Sequence, residues 1–70
     1  MPKITLKAAR VNVGLTQDDA AKLIGVNTDT LGKWERGQGY PNVIQLENII
    51  KAYGVPYEQL NFMPNTTVKA

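Results

Sequence analysis

Seventy residues with no cysteine and no histidine make one small domain that must fold on apolar packing alone, since a chain this short buries only about 60% of its unfolded surface. The same absences exclude a disulfide framework, a zinc centre, a thiolate nucleophile and an imidazole base, and since the sequence offers no plausible base, nucleophile or metal constellation, no enzymatic activity is expected. Eight Lys and Arg against six Asp and Glu leave a net charge of +2 with no like-charge run longer than Asp18-Asp19, a mild basic bias compatible with nucleic acid but not diagnostic of it.

Strand signals are nearly missing, because no segment alternates apolar and polar residues for long, and an all-α fold is expected. The first predicted helix runs from about Thr5, its N-cap, to Val13, with Leu6, Ala9 and Val13 on one stripe. A second starts after Thr16. Asp18 and Asp19 fill its first turn, where negative charge opposes the helix dipole, and Ala20, Ala21, Leu23 and Ile24 give it an apolar side. A third is capped by Asn27 or Thr28, carries Leu31 and Trp34 at i, i+3, and ends at Gly37. Asn42 with Gln45 three residues on is a capping-box pattern opening a fourth helix, whose stripe is Val43, Leu46, Ile50 and Tyr53, widened by Ile49. Pro56 can start a short fifth helix through Leu60. Gly14, Gly25, Gly37 and Gly54 come after the first four blocks, where left-handed caps are expected. The domain is placed at residues 1–63, with a flexible C-terminal tail at 64–70. The N-terminus has no apolar leader, no stretch approaches a membrane span, and the chain reads as cytoplasmic.

Between Gln17 and Trp34 the pattern is that of two short helices joined by a glycine turn. A small residue at Ala21 permits close helix approach, Gly25 supplies a positive φ, and Ile24, Val26, Leu31 and Trp34 fill the wedge between the helices. Leu31 and Trp34 face inward, so Thr28, Asp29, Gly32 and Lys33 share the outward face of the third helix.

With these residues in register, the chain resembles the phage-repressor type of helix-turn-helix domain, the family of lambda repressor, 434 repressor and Cro. Gly-Leu-Thr-Gln at 14–17, Ala-Ala-Lys-Leu-Ile-Gly-Val at 20–26, Trp-Glu-Arg-Gly at 34–37 and Tyr-Pro-Asn at 40–42 carry the resemblance, which covers about residues 3 to 62. It implies a compact five-helix, lambda-repressor-like fold with the third helix in the major groove of operator DNA. It implies that Thr28, Asp29 and Lys33 reach base edges, and that Gln17, Asn27, Gly32, Arg36 and Asn42 meet the backbone. It also implies a structural ion pair between Arg10 and Glu35.

Blander readings stand beside these. Asp29 and Lys33 at i, i+4 make a surface pair worth about 0.2–0.5 kcal/mol, and Arg10 suits a phosphate as well as Glu35. Gly32 costs about 1 kcal/mol against Ala inside a helix, and is either a close-approach position or simply tolerated. Gln17 can be no more than the first residue of a capped helix. Asp18-Asp19 is not a catalytic pair, since adjacent residues on a helix do not face each other. Leu60, Phe62 and Met63 either form a dimer face or close the core. The loop Gln38-Gly39-Tyr40 departs from many relatives by carrying no positive charge, leaving Lys3, Lys7, Lys33, Arg36 and helix-start N–H groups to hold phosphates.

The resemblance implies a sequence-specific transcriptional regulator of double-stranded DNA, a repressor of phage or mobile-element type that occludes a promoter, and a homodimer on a palindromic operator. The alternative is a protein-interaction module or antitoxin on the same fold.

Overall fold

The computed structural model describes residues 3–62. Expectations for Met63 and for the tail at 64–70 lie outside the described residues. A two-residue strand β1 (Ile4–Thr5) leads into α1 (Leu6–Asn12), α2 (Gln17–Ile24), α3 (Thr28–Glu35) and α4 (Val43–Tyr53), and a short strand β2 (Leu60–Asn61) comes last. Each helix start is built from its own sequence. Thr5, Thr16, Asn27 and Asn42 are the N-caps, each accepting a backbone N–H from three residues on, and Asn42 with Gln45 completes the capping box.

The turn between α2 and α3 shows how little chain separates them. Gly25 lies at φ 92°, ψ 30°, a left-handed conformation that a residue with a Cβ adopts only under strain. Both its N–H and that of Val26 return to the Ala21 carbonyl, at 2.8 and 3.0 Å. Across the junction, the Asn48 side-chain amide of α4 donates to the Ile24 carbonyl at 3.1 Å, satisfying an end that α2 leaves open.

Leu6, Ala9, Ala20, Ala21, Ile24, Leu31, Trp34, Ile49, Tyr53, Leu60 and Phe62 form a single buried core. Buried aliphatic side chains of this kind contribute about 1.5–3 kcal/mol each. Three expected core positions point elsewhere. Val13 is the exposed C-cap of α1, and Arg10 takes the inward place on that helix. Leu23 is 57% exposed, because the small Ala20 and Ala21 together with Ile24 make the buried side of α2 and leave Leu23 at its rim. Val43 is 71% exposed at the first position of α4, whose inward row is Leu46, Ile49 and Tyr53.

The expected fifth helix is also corrected: the described residues contain four α-helices. Tyr57–Gln59 is one 3-10 turn, with no side-chain hydrogen bond from Pro56 to cap it. The chain then extends, and β2 pairs in parallel with β1 in the register Ile4↔Leu60, Thr5↔Asn61. Extension rather than another helical turn carries both Leu60 and Phe62 into the core, at 3% and 8% exposure. Both residues therefore close the core and neither offers a dimer face. The all-α expectation needs the same amendment, for this small parallel pair ties the first described residues to the last.

Candidate nucleic-acid interface

The outward side of α3 and the start of α2 form one surface, fixed from behind by a polar hub. Arg10 on α1 donates from Nε to Glu35 Oε2 at 2.7 Å and from Nη2 to Glu35 Oε1 at 3.4 Å. Its Nη1 donates to the Leu15 carbonyl at 2.8 Å, holding the turn into α2. Gln17 Nε2 donates to Glu35 Oε1 at 2.9 Å. One carboxylate at the end of α3 thus binds side chains from α1 and α2, and it is nearly sequestered, its side chain being 5% exposed. Removing a partner from such a charge is costly, about 3–5 kcal/mol, because the charge left behind is buried and unpaired. Tyr53 packs in the same electrostatic environment. Burial pushes its phenol up to about 12, with the negative charge of Glu35 adding to the effect and Arg10 opposing it.

The hub changes what Gln17 has left to offer. One amide hydrogen is committed to Glu35, which leaves its second amide hydrogen and its backbone N–H, at the first position of α2, outside the hub and the helix's own hydrogen bonds. Thr28 is similarly committed. Its hydroxyl donates to Asp18 Oδ1 at 2.7 Å, linking the first turns of α2 and α3 and leaving the methyl group for contact. Asp18 thus has a bridging role that its dipole-opposing position alone does not suggest. Asp29 and Lys33 stand clear of the body, their side chains 78% and 56% exposed and their charges 3.9 Å apart. A pair this exposed and this long is held weakly and is free to exchange partners.

Gly32 is buried in the middle of α3 despite lying on its outer side. A Cβ there would stand 3.2 Å from Arg36 Nη1 and 3.7 Å from Gln17 Nε2. The covering atoms are therefore the Arg36 guanidinium and the Gln17 amide. Arg36 is steadied at its other edge, where Nε donates to Gln38 Oε1 at 3.3 Å. Beside this group lies a cleft of about 660 Å³, lined by Lys7, Arg10, Gln17, Gly32, Glu35 and Arg36 together with Thr5.

Asn27 and Asn42 sit at helix starts, where free N–H groups attract an anion. Their side chains are already used as caps. The N–H of Asn42 itself donates to Gln45 Oε1 at 2.9 Å, so the free donors at that end are Val43 and Ile44. Gln17, Gly32 and Arg36 come together in the cleft, Thr28 joins α2 through Asp18, and Asn42 is not part of the cleft lining. No spacing rule links Gln17 to Glu35 or Thr28 to Asp18, and only the docking of α2 on α3 brings them together. Among the described residues no group of acidic side chains is placed to hold a metal ion, and no helix is long and apolar enough to cross a membrane.

A family model described as helix-turn-helix matches residues 6–60. The chain belongs to the helix-turn-helix family. The match spans all four helices and the 3-10 turn, with a lambda and 434 repressor-like kinship. The chain is also 36% identical over 55 residues to the HTH-type transcriptional activator BcrR of Enterococcus faecalis. That stretch is 79% of this chain and 27% of the relative, so the helix-turn-helix unit spans about a quarter of the relative's length. No solved structure matches the chain.

Proposed function

We propose that this helix-turn-helix domain is a sequence-specific reader of double-stranded DNA that regulates transcription, docking α3 in the major groove and acting without a cofactor or catalysis. The observation that carries the reading is the exposed pair Asp29 and Lys33 on α3, weakly held to each other at 3.9 Å, with Thr28 half-buried just before Asp29 and its hydroxyl committed to Asp18. Behind that pair, Glu35 pins α3 to both preceding helices, so the reading surface is preorganised before DNA arrives. Lys33 donates to O6 and N7 of a guanine, Asp29 accepts from a cytosine amino group, and Thr28 packs on a thymine methyl. Gln17, Gly32, Arg36 and the helix starts capped by Asn27 and Asn42 set register on the phosphates. Two copies bind a palindrome, each reading one half-site, in the cytoplasm.

By occluding a promoter such a dimer is a repressor, of the phage or mobile-element type. The similarity to a transcriptional activator supports a second reading in which the same contacts hold the protein beside a promoter rather than across it. Operator placement, not the reading surface, separates the two.

The test is a panel of single-base operator variants titrated with two mutants. Lys33→Ala flattens preference at one base pair in each half-site, by about 1–3 kcal/mol of discrimination. Gln17→Ala weakens all variants alike, because it loosens the α2–α3 hub and a backbone contact without touching a base. An even loss across the panel for Lys33→Ala makes Lys33 a phosphate contact and leaves base reading to Thr28 and Asp29.

A further inference from the structure

The glycine at position 32 stands in the middle of an eight-residue helix on the side that faces outward, a place where glycine weakens the helix. The space over it is closely covered: a Cβ there would stand 3.2 Å from the Arg36 guanidinium, a tight contact that a small shift of that side chain relieves, and 3.7 Å from the Gln17 amide, an ordinary one. Arg36, the C-cap of α3, follows four residues on and so sits one turn above, and its long side chain folds back across the glycine.

The cleft that Arg36 faces has the charge of an anion site. Lys7, Arg10 and Arg36 line it against the single carboxylate of Glu35, a surplus of two positive charges. Glu35 and Arg10 satisfy each other at 2.7 Å, with Gln17 adding a third bond. The cations left for a ligand are Lys7 and Arg36. They reach the cleft from different elements, Lys7 from the second position of α1 and Arg36 from the end of α3.

We infer that Gly32 is a positioning residue whose missing side chain seats Arg36 so that it closes, with Lys7, a site for one phosphate of the DNA backbone. The inference rests on the DNA-reading function proposed above and adds to it a defined phosphate seat. A guanidinium held in place spends less entropy on binding than one free in solvent, and its planar fork suits phosphate oxygens. The seat also supplies a cation that the loop Gln38-Gly39-Tyr40 lacks, at the C-cap of α3. Glycine here sacrifices helix stability for geometry.

The experiment measures binding of an operator duplex and a scrambled duplex between about 50 and about 200 mM salt. The proteins are wild type, Gly32→Ala, Arg36→Ala, Lys7→Ala and the Gly32→Ala/Arg36→Ala double variant, each with a melting curve. Gly32→Ala should melt higher than wild type, because alanine favours the helix and the guanidinium in its way is the movable end of a side chain. It should nevertheless flatten the slope of log K against log salt by about 0.9, the value for one phosphate contact. Arg36→Ala should flatten it equally, and the double variant no further. Lys7→Ala should weaken both duplexes alike. A merely structural glycine cannot raise the melting temperature and lower the salt slope together. A wild-type slope in Gly32→Ala overturns the inference, as does a loss confined to the operator, which would make Gly32 a groove-approach position. Losses of Gly32→Ala and Arg36→Ala that add would overturn it as well, since they would be independent. If wild type itself shows no salt-dependent binding to either duplex, the DNA-reading function falls and the seat falls with it.

Discussion

Tyr53 places a hydroxyl in the core at 2% exposure, where among the described residues it is the buried side-chain polar atom without a hydrogen-bond partner. A buried hydroxyl with no partner loses its hydration and gains nothing in return. Tyr53→Phe should therefore be at least as stable as wild type, by up to about 1 kcal/mol, since the ring is kept and only the orphan oxygen goes. The pH dependence sharpens the expectation. The phenol is raised from 10.0 to about 12 in the folded protein, first by burial and then by the charge of Glu35. Its neutral form therefore supports folding fully below pH 10 and loses that support as pH climbs toward 12. Thermal melts across that window should fall more steeply for wild type than for Tyr53→Phe, and parallel curves would show that folding leaves the phenol's pKa unshifted. Residues of local chemistry are legible in the sequence: Thr5, Thr16, Asn27 and Asn42 are caps because each side chain reaches a backbone N–H only three positions along its own helix. The partners of Gln17 and Thr28 are not legible, because they come from another helix, 18 and 10 positions away.

At the scale of elements, the turn between α2 and α3 and the middle of α3 both carry glycine for opposite reasons. Gly25 has open space where a Cβ would go but sits at φ +92°, so backbone conformation alone excludes other residues. Gly32 has an ordinary helical backbone, and what a Cβ would crowd there is the movable guanidinium of Arg36. Gly25→Val should thus destabilise by about 1–3 kcal/mol, the cost of holding a β-branched residue in that region. Urea melts of Gly25→Val and Gly25→Ala check this, and a midpoint unchanged from wild type would mean that the turn re-routes. Helices α1 to α4 are readable from sequence because caps, glycine ends and apolar spacing agree. The segment after α4 is not. Pro56 permits a helix to start there, yet the pairing of Leu60 with Ile4 and the burial of Phe62 require an extended chain. Two-residue strands are too short to show alternation, and their partner lies at the far end of the sequence.

On the scale of the molecule, one domain measures 36 × 24 × 22 Å. Leu60 and Phe62 are buried in it, so neither is exposed for a second copy to touch. Selection of binding sites from random duplexes at two salt concentrations is the most direct test of the proposed reading of duplex DNA by α3 in symmetric pairs. The expected result is recovery of a palindrome whose half-site centres lie about 10–10.5 base pairs or a multiple apart. The same bases should emerge at both salts, with affinity lower at the higher one. Failure to enrich any sequence at either salt would contradict that reading.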